Sequence, residues 1–217
     1  MGIINEFDDD EIELIDINLD VEEHLEEVEV YEETSEAATI EGRPRGVLKE
    51  ILSYVIVILV AVIAAALINN YVLVNANIPS RSMAPGINVD DRLFGFRLAY
   101  IFDEPQRGDV VIFNHKCYDK EEEEALIKRV IGVPGDTVII ADGELYINGK
   151  VIHEEYLGEK MVGSFGPYEV PEGQYFVLGD NRNISEDSRY WDNTFVSEDE
   201  IVAKAILKYK PSIELIK

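Results

Sequence analysis

Hydrophobic and polar positions are arranged along this chain in three unlike ways. Residues 1–42 mix acidic runs with scattered apolar positions; Ile15-Asp16-Ile17-Asn18-Leu19-Asp20-Val21 alternates with the period of a strand before the spacing turns helical, and no single element emerges. Ile51 to Ile68 is an unbroken apolar run without a charge, its polar interruptions limited to Ser53 and Tyr54, enough for about 18 residues of membrane-spanning helix. Tyr71-Val72-Leu73-Val74 is expected to extend that helix. From Leu93 onward the pattern changes to short β-rich runs between turn residues: Asp109 to Phe113, Thr137 to Ile140, Leu145 to Ile147 ahead of the hairpin signal Asn148-Gly149, and Gln174 to Leu178. No long amphipathic helical spacing separates these runs. The expected fold is therefore mainly β, an antiparallel folded-sheet or barrel-like domain behind one N-terminal transmembrane helix.

Three regions follow from this pattern: a disordered acidic tail over residues 1–42, an anchor with its flanks over 43–74, and a domain over 75–217. The chain beyond Ile68 leaves about 150 residues, the usual size of one domain with its own core. A cleavable secretory signal is disfavoured because the apolar run is long and starts about fifty residues in, although Ala64-Ala65-Ala66 mimics a small-residue cleavage site. Arg43, Arg45 and Lys49 crowd the N-terminal flank of the span, and no Lys or Arg follows it until Arg81. The positive-inside bias then puts the N-terminus in the cytoplasm and everything after Asn70 on the outer side of the cytoplasmic membrane, with the lipid bilayer as a partner.

Charge removes one class of function. The 217 residues carry 19 Lys and Arg against 44 Asp and Glu, and 17 of those acids but no base occur through Gly42. So negative a chain, with no basic stripe interleaved with aromatics, repels phosphate backbones, and a nucleic-acid partner is excluded. The tail is read as solvated; the functional alternative is a docking segment that orders on a partner the sequence does not identify. Cys117 stands alone, so no intrachain disulfide forms, and no Cys/His spacing suggests zinc. His24, His115 and His153 are far apart in polar surroundings, and each is read as a surface residue. Neither a metal nor a cofactor is expected.

Three segments place reactive residues on turns or strands. In Ile78-Pro79-Ser80-Arg81-Ser82-Met83-Ala84-Pro85 two prolines fix φ around a pair of serines and so set the geometry of their hydroxyls and amides. In Leu126-Ile127-Lys128-Arg129-Val130-Ile131-Gly132 strand alternation points Lys128 and Val130 to one face, Ile127 and Arg129 to the other. An exposed lysine is an unprotonated base in only about one molecule in 2,500 at pH 7. A buried one can be the neutral amine and take a proton from serine. The plainer alternative is that Lys128 snorkels its head to water. The third segment, Gly179-Asp180-Asn181-Arg182-Asn183-Ile184-Ser185-Glu186-Asp187-Ser188-Arg189, is a polar loop after a β-run. There Asp187 can pair with Arg129 or Arg189, and Ser185 can hydrogen-bond the Lys128 amine.

In this order, behind a transmembrane span, Pro79 to Pro85, Arg107-Gly-Asp-Val-Val-Ile-Phe113, Ile127 to Asp136 and Gly179 to Arg189 resemble the type I signal peptidases, Ser/Lys-dyad proteases of the membrane. The resemblance covers roughly residues 51–210. It implies a membrane-anchored serine endopeptidase that removes signal peptides from secretory pre-proteins at small-x-small sites. It further implies Ser82 as nucleophile, Lys128 as general base, Ser80 beside the Ser82 amide at the oxyanion, Ser185 orienting the lysine, and Arg129, Asp187 and Arg189 as structural support. Gly86-Ile87, Asp192-Asn193 and Ala203 depart from the family pattern, which bears on backbone detail and pocket shape. The short connection from Asn114 to Ala125 leaves no room for the large inserted domain of some relatives. Two rivals are weaker: the self-cleaving repressor group lacks such a span and carries a DNA-binding helix-turn-helix, and an inactive anchored binding module would be marked by loss of Ser82 or Lys128.

Overall fold

The structure is a computed structural model and describes residues 13–14, 45–116 and 124–216. Apart from Glu13–Leu14, the tail and its expected alternating segment lie outside the described residues, as do His24 and Cys117.

Helix α1 spans Arg45–Tyr71, 27 residues, or about 40 Å of rise, more than the ~30 Å of a bilayer's hydrocarbon. Its apolar side chains stand exposed all along it, from Leu48 to Ile68, and Val47–Tyr71 is long and apolar enough to cross a membrane. A helix apolar on every side needs lipid or a protein interior around it. The helix stops three residues short of the expected extension. Leu73–Asn77 is strand β2 instead, pairing from Leu73 opposite Phe96 to Asn77 opposite Arg92. The β-rich Val72-Leu73-Val74 thus finds a ladder partner, and β2 straddles the expected boundary at residue 75.

Beyond the helix the described residues form two antiparallel sheets. The larger, nine-stranded sheet runs Glu13–Leu14 (β1), β2, Arg92–Phe96 (β3), Ile201–Lys210 (β12), Val110–His115 (β4), Glu124–Gly132 (β5), Gln174–Leu178 (β10) and Val196–Ser197 (β11), with Glu214–Leu215 (β13) beside β12. The smaller runs Lys150–Ile152 (β8), Glu144–Ile147 (β7), Thr137–Ala141 (β6) and Phe165–Glu169 (β9). The expected mainly antiparallel β fold is what forms, and the four expected runs fall in β4, β6, β7 and β10. Asn148 and Gly149, at φ 52° and 75°, make the tight turn joining β7 to β8, the left-handed pair that matches strand twist.

Strand β5 is buried from Leu126 through Gly132, and its side chains feed three apolar clusters. Ile127 joins Val74, Ala76, Leu93 and Ile112. Ile131 joins Val138, Leu145 and Phe176. Leu126 and Val130 join Phe113, Tyr175 and Trp191. Ala203, one of the departures from the family pattern, is fully buried on β12 with its methyl close against Gly95.

One expectation fails outright. His115 is no surface residue: it is fully buried, with Nδ1 2.9 Å from Glu200 Oε1 and Nε2 3.1 Å from the Asn193 carbonyl. Its ring lies 4.7 Å from that of Trp191. Its partners sit far along the chain, so its polar sequence neighbours say nothing of its surroundings. His153 is exposed, as expected.

Candidate active site

The loop between β2 and β3 carries both serines of the first segment. Its base is closed by Ile78 N donating to Asp91 O (3.0 Å) and Asp90 N to Ile78 O (2.8 Å). Met83 and Ile87 sink into the first apolar cluster, and Ile87 N donates to Met83 O at 3.0 Å. With its neighbour Met83 fully buried, Ser82 is drawn inward and is 2% exposed, Ser80 6%. Ser80 Oγ donates to Ser82 Oγ at 3.2 Å and stands 3.5 Å from the Ser82 amide.

Lys128 is fully buried on β5, opposite Val111 of β4. On the other side of β5, Leu178 of β10 pairs with Arg129, so the chain leaves the sheet at Gly179 on the side of Lys128. A Cβ on Gly179 would stand 2.2 Å from Ser185 Oγ and 2.5 Å from the Ser82 carbonyl oxygen. Glycine is required here for close approach. Asn181 N then donates to Ser82 O at 2.9 Å, fastening the serine loop to the third segment. Ser80, Ser82 and Ser185 are thereby gathered around Gly179, at the edge of the strand that carries Lys128. Ser185 Oγ is buried without a hydrogen-bond partner, so the expected bond to the Lys128 amine is not made in this structure.

Behind this cluster stand three buried arginine–carboxylate pairs. Arg189 binds Asp187 through Nε (2.7 Å) and Nη2 (2.9 Å), and Asp187 Oδ2 accepts the Gly179 amide at 3.0 Å. Of the two arginines considered for Asp187, Arg189 is the partner. Arg129 makes a fork to Asp180 at 2.8 and 2.7 Å, donates to Gly108 O at 2.7 Å, and lies 4.0 Å over the Tyr156 ring. Burial opposes the Arg129 cation, but the Asp180 carboxylate more than offsets it, leaving the group above its ordinary pKa. Arg182 binds Glu154 at 2.7 and 2.6 Å and donates to Gly179 O at 3.0 Å. Burial, then Glu154, pushes the Tyr156 phenol well above its usual range. The Gly179 peptide is thus held at its N–H by Asp187 and at its carbonyl by Arg182.

Sequence reasoning had quoted Asp180 and Arg182 without giving them partners, and it missed Glu154 and Tyr156. An acid facing a strand arginine across a polar turn was the one available signal. Among the described residues no group of three His, Cys, Asp or Glu could hold a metal ion.

The chain is similar to known proteins over most of its length. Residues 51–210 match the family model described as signal peptidase, peptidase S26. A "Probable signal peptidase I-2" of Synechocystis sp. is 40% identical over 153 residues, 70% of this chain and 69% of its own length. The "Signal peptidase I" of Bacillus licheniformis is 40% identical over 149 residues, 64% of this chain and 78% of its own. A crystal structure of a signal peptidase I from Enterococcus faecalis shares 36% identity, covering 47% of this chain and 97% of that one at a TM-score of 0.40. The chain belongs to the signal peptidase family, peptidase S26. It is a serine endopeptidase of the signal peptidase I type, a hydrolase whose substrates are pre-proteins bearing signal peptides.

Proposed function

We propose that this protein removes N-terminal signal peptides from secreted pre-proteins at small-x-small sites, with Ser82 as nucleophile and the neutral amine of Lys128 as general base. The base role needs the uncharged amine within reach of the serine hydroxyl. As Ser82 Oγ attacks the carbonyl of the last signal-peptide residue, its proton passes to Lys128. The Ser82 amide and the Ser80 hydroxyl receive the oxyanion, each such donor being worth about 10²–10³ in rate. Collapse breaks the C–N bond, and the Lys128 ammonium protonates the departing amine of the mature protein. Lys128 then takes a proton from water, which attacks the acyl ester; the ester C–O bond breaks, Lys128 returns the proton to Ser82 Oγ, and the signal peptide leaves as a carboxylic acid. Ser185, whose hydroxyl makes no hydrogen bond in this structure, turns to the lysine amine and orients it once substrate is bound, while Arg129, Asp187 and Arg189 hold the frame.

The observation supporting this most is the meeting of the Ser82 backbone and the Ser185 hydroxyl on Gly179, beside the strand bearing a fully buried Lys128. From the charge flanking Arg45–Tyr71 we place the N-terminus in the cytoplasm and residues 75–217 outside, so that Glu13–Leu14, paired with β2 in this structure, must leave that strand when the helix spans a bilayer, and residues 1–42 remain a segment for an unidentified partner.

The test is cleavage of a pre-protein whose signal ends in Ala-x-Ala by the full-length, detergent-purified protein with lipid added. Wild type is expected to cut at that bond; Ser82→Ala and Lys128→Ala are expected to lose about 10⁴-fold or more while remaining folded. Retained cleavage by Lys128→Ala would sink the dyad. No cleavage by a folded wild type would favour an anchored binding module.

A further inference from the structure

We infer that Lys208 is a positioning residue for the nucleophile, holding the far limb of the serine loop against β12. The inference rests on Ser82 as nucleophile. Lys208 lies opposite Leu93 of β3 and Glu214 of β13 and is 8% exposed. Its Nζ donates to the Gly86 carbonyl at 3.3 Å, stands 3.7 Å from Asp91 Oδ2, and pairs with Glu214 Oε2 at 3.0 Å.

Each contact except the last falls on the loop that carries Ser82. Asp91, 4% exposed, also accepts the Asn88 amide at 2.9 Å, and Asn88 Nδ2 donates to Pro85 O at 2.9 Å. One ammonium therefore neutralises the buried carboxylate at the loop's end and caps a carbonyl four residues from Ser82. Gly86 passes its position on through Ile87, whose amide is bonded to Met83, the neighbour of Ser82. Among the described residues no other Lys or Arg side chain pairs with Asp91, and a buried carboxylate stripped of its cation pulls water or moves. The effect belongs to kcat, because Lys208 braces the loop's far limb from β12 and its contacts set where the Ser82 hydroxyl stands.

The experiment compares wild type, Lys208→Met, Lys208→Arg, Asp91→Asn and Lys208→Met/Asp91→Asn, all full-length, for pre-protein cleavage and for the rate at which a fluorophosphonate labels Ser82. Lys208→Met is expected to lower kcat and labelling together by on the order of 10- to 100-fold with KM unchanged. Lys208→Arg, which keeps the cation, is expected to recover most of both. Adding Asp91→Asn is expected to cost less on Lys208→Met than on wild type, as coupled neighbours do. Unchanged kcat in a folded Lys208→Met, a fall in KM terms alone, or strictly additive losses would overturn the inference. Labelling reports on the nucleophile directly, so failure of wild type to cleave the chosen pre-protein, with Ser82 still labelled, would count against the substrate and not against Lys208.

Discussion

Replacing Gly179 by alanine tests the assembly of the site with a single methyl group. The added Cβ would stand 2.2 Å from Ser185 Oγ, 2.5 Å from Ser185 Cβ and 2.5 Å from the Ser82 carbonyl oxygen. Ordinary contact begins near 3.5 Å, so Ser185 and the Ser82 backbone must each retreat by about 1 Å. Neither can do so freely. Ser82 O is tied to Asn181 N at 2.9 Å, and the Gly179 peptide is held by Asp187 at 3.0 Å and Arg182 at 3.0 Å. A 1 Å misplacement of reacting groups costs about 10²-fold, or roughly 2.7 kcal/mol of transition-state stabilisation. Overpacking of this kind costs about 1–3 kcal/mol of stability as well. Single-turnover cleavage of a pre-protein, with thermal unfolding followed by the fluorescence of the one tryptophan, Trp191, separates the two. A folded Gly179→Ala enzyme within threefold of wild type would show that Ser82 and Ser185 are not held by this peptide, and the proposed roles of Asp187 and Arg182 would go with it.

Asp180→Asn leaves the Arg129 guanidinium, 5% exposed at its side chain, without its counter-ion, at a cost of about 3–5 kcal/mol. For a chain of this size that is a fall of roughly 6–20 °C in Tm; a shift under about 2 °C would refute it. Arg129→Lys, with Asp180 kept, is expected to lose stability as well, since a lysine cannot make the two-pronged contact. Alkali should also unfold the enzyme: burial, then Glu198 and Glu104, pushes the Tyr175 phenol from 10.0 to about 12, and burial, then Asp109, raises Tyr100 further. A raised folded value means the unfolded chain releases these protons first. Stability is therefore complete below pH 10 and declines as pH climbs through about 12. Ultraviolet titration should show these tyrosines ionising together with the loss of Trp191 tertiary signal; free ionisation near pH 10 in folded protein would contradict the burial argument.

How much of this was legible in the residues depended on how local the cause was. Asn148-Gly149 declared its turn because the required left-handed φ values are a property of two residues. The apolar run declared a span because nothing but lipid or a core tolerates it. The end of α1 was misplaced because Val72-Leu73-Val74 suits helix and strand alike, and its partner, β3, lies some twenty residues on. Strand β9 was missed because Phe165-Gly166-Pro167 looks like a turn. Leu126 to Ile131 does alternate, with Leu126 and Val130 in one cluster and Ile127 in another, yet both faces are covered, so polar spacing could not reveal how deep Lys128 lies. Arg129 with Asp180, and His115 with Glu200, are long-range choices among several partners that only packing decides.

Because β5 lends side chains to three cores at once, Lys128 sits where the protein has least freedom to breathe. Amide protons on such a strand exchange with solvent only when most of the domain opens, whereas a loop tied down by a handful of hydrogen bonds opens on its own. Ser82, the proposed nucleophile, rides on such a loop. Whatever give the enzyme needs to admit an extended polypeptide must then come from the serine's side of the cleft, with the lysine as the fixed wall against which the bond is cut.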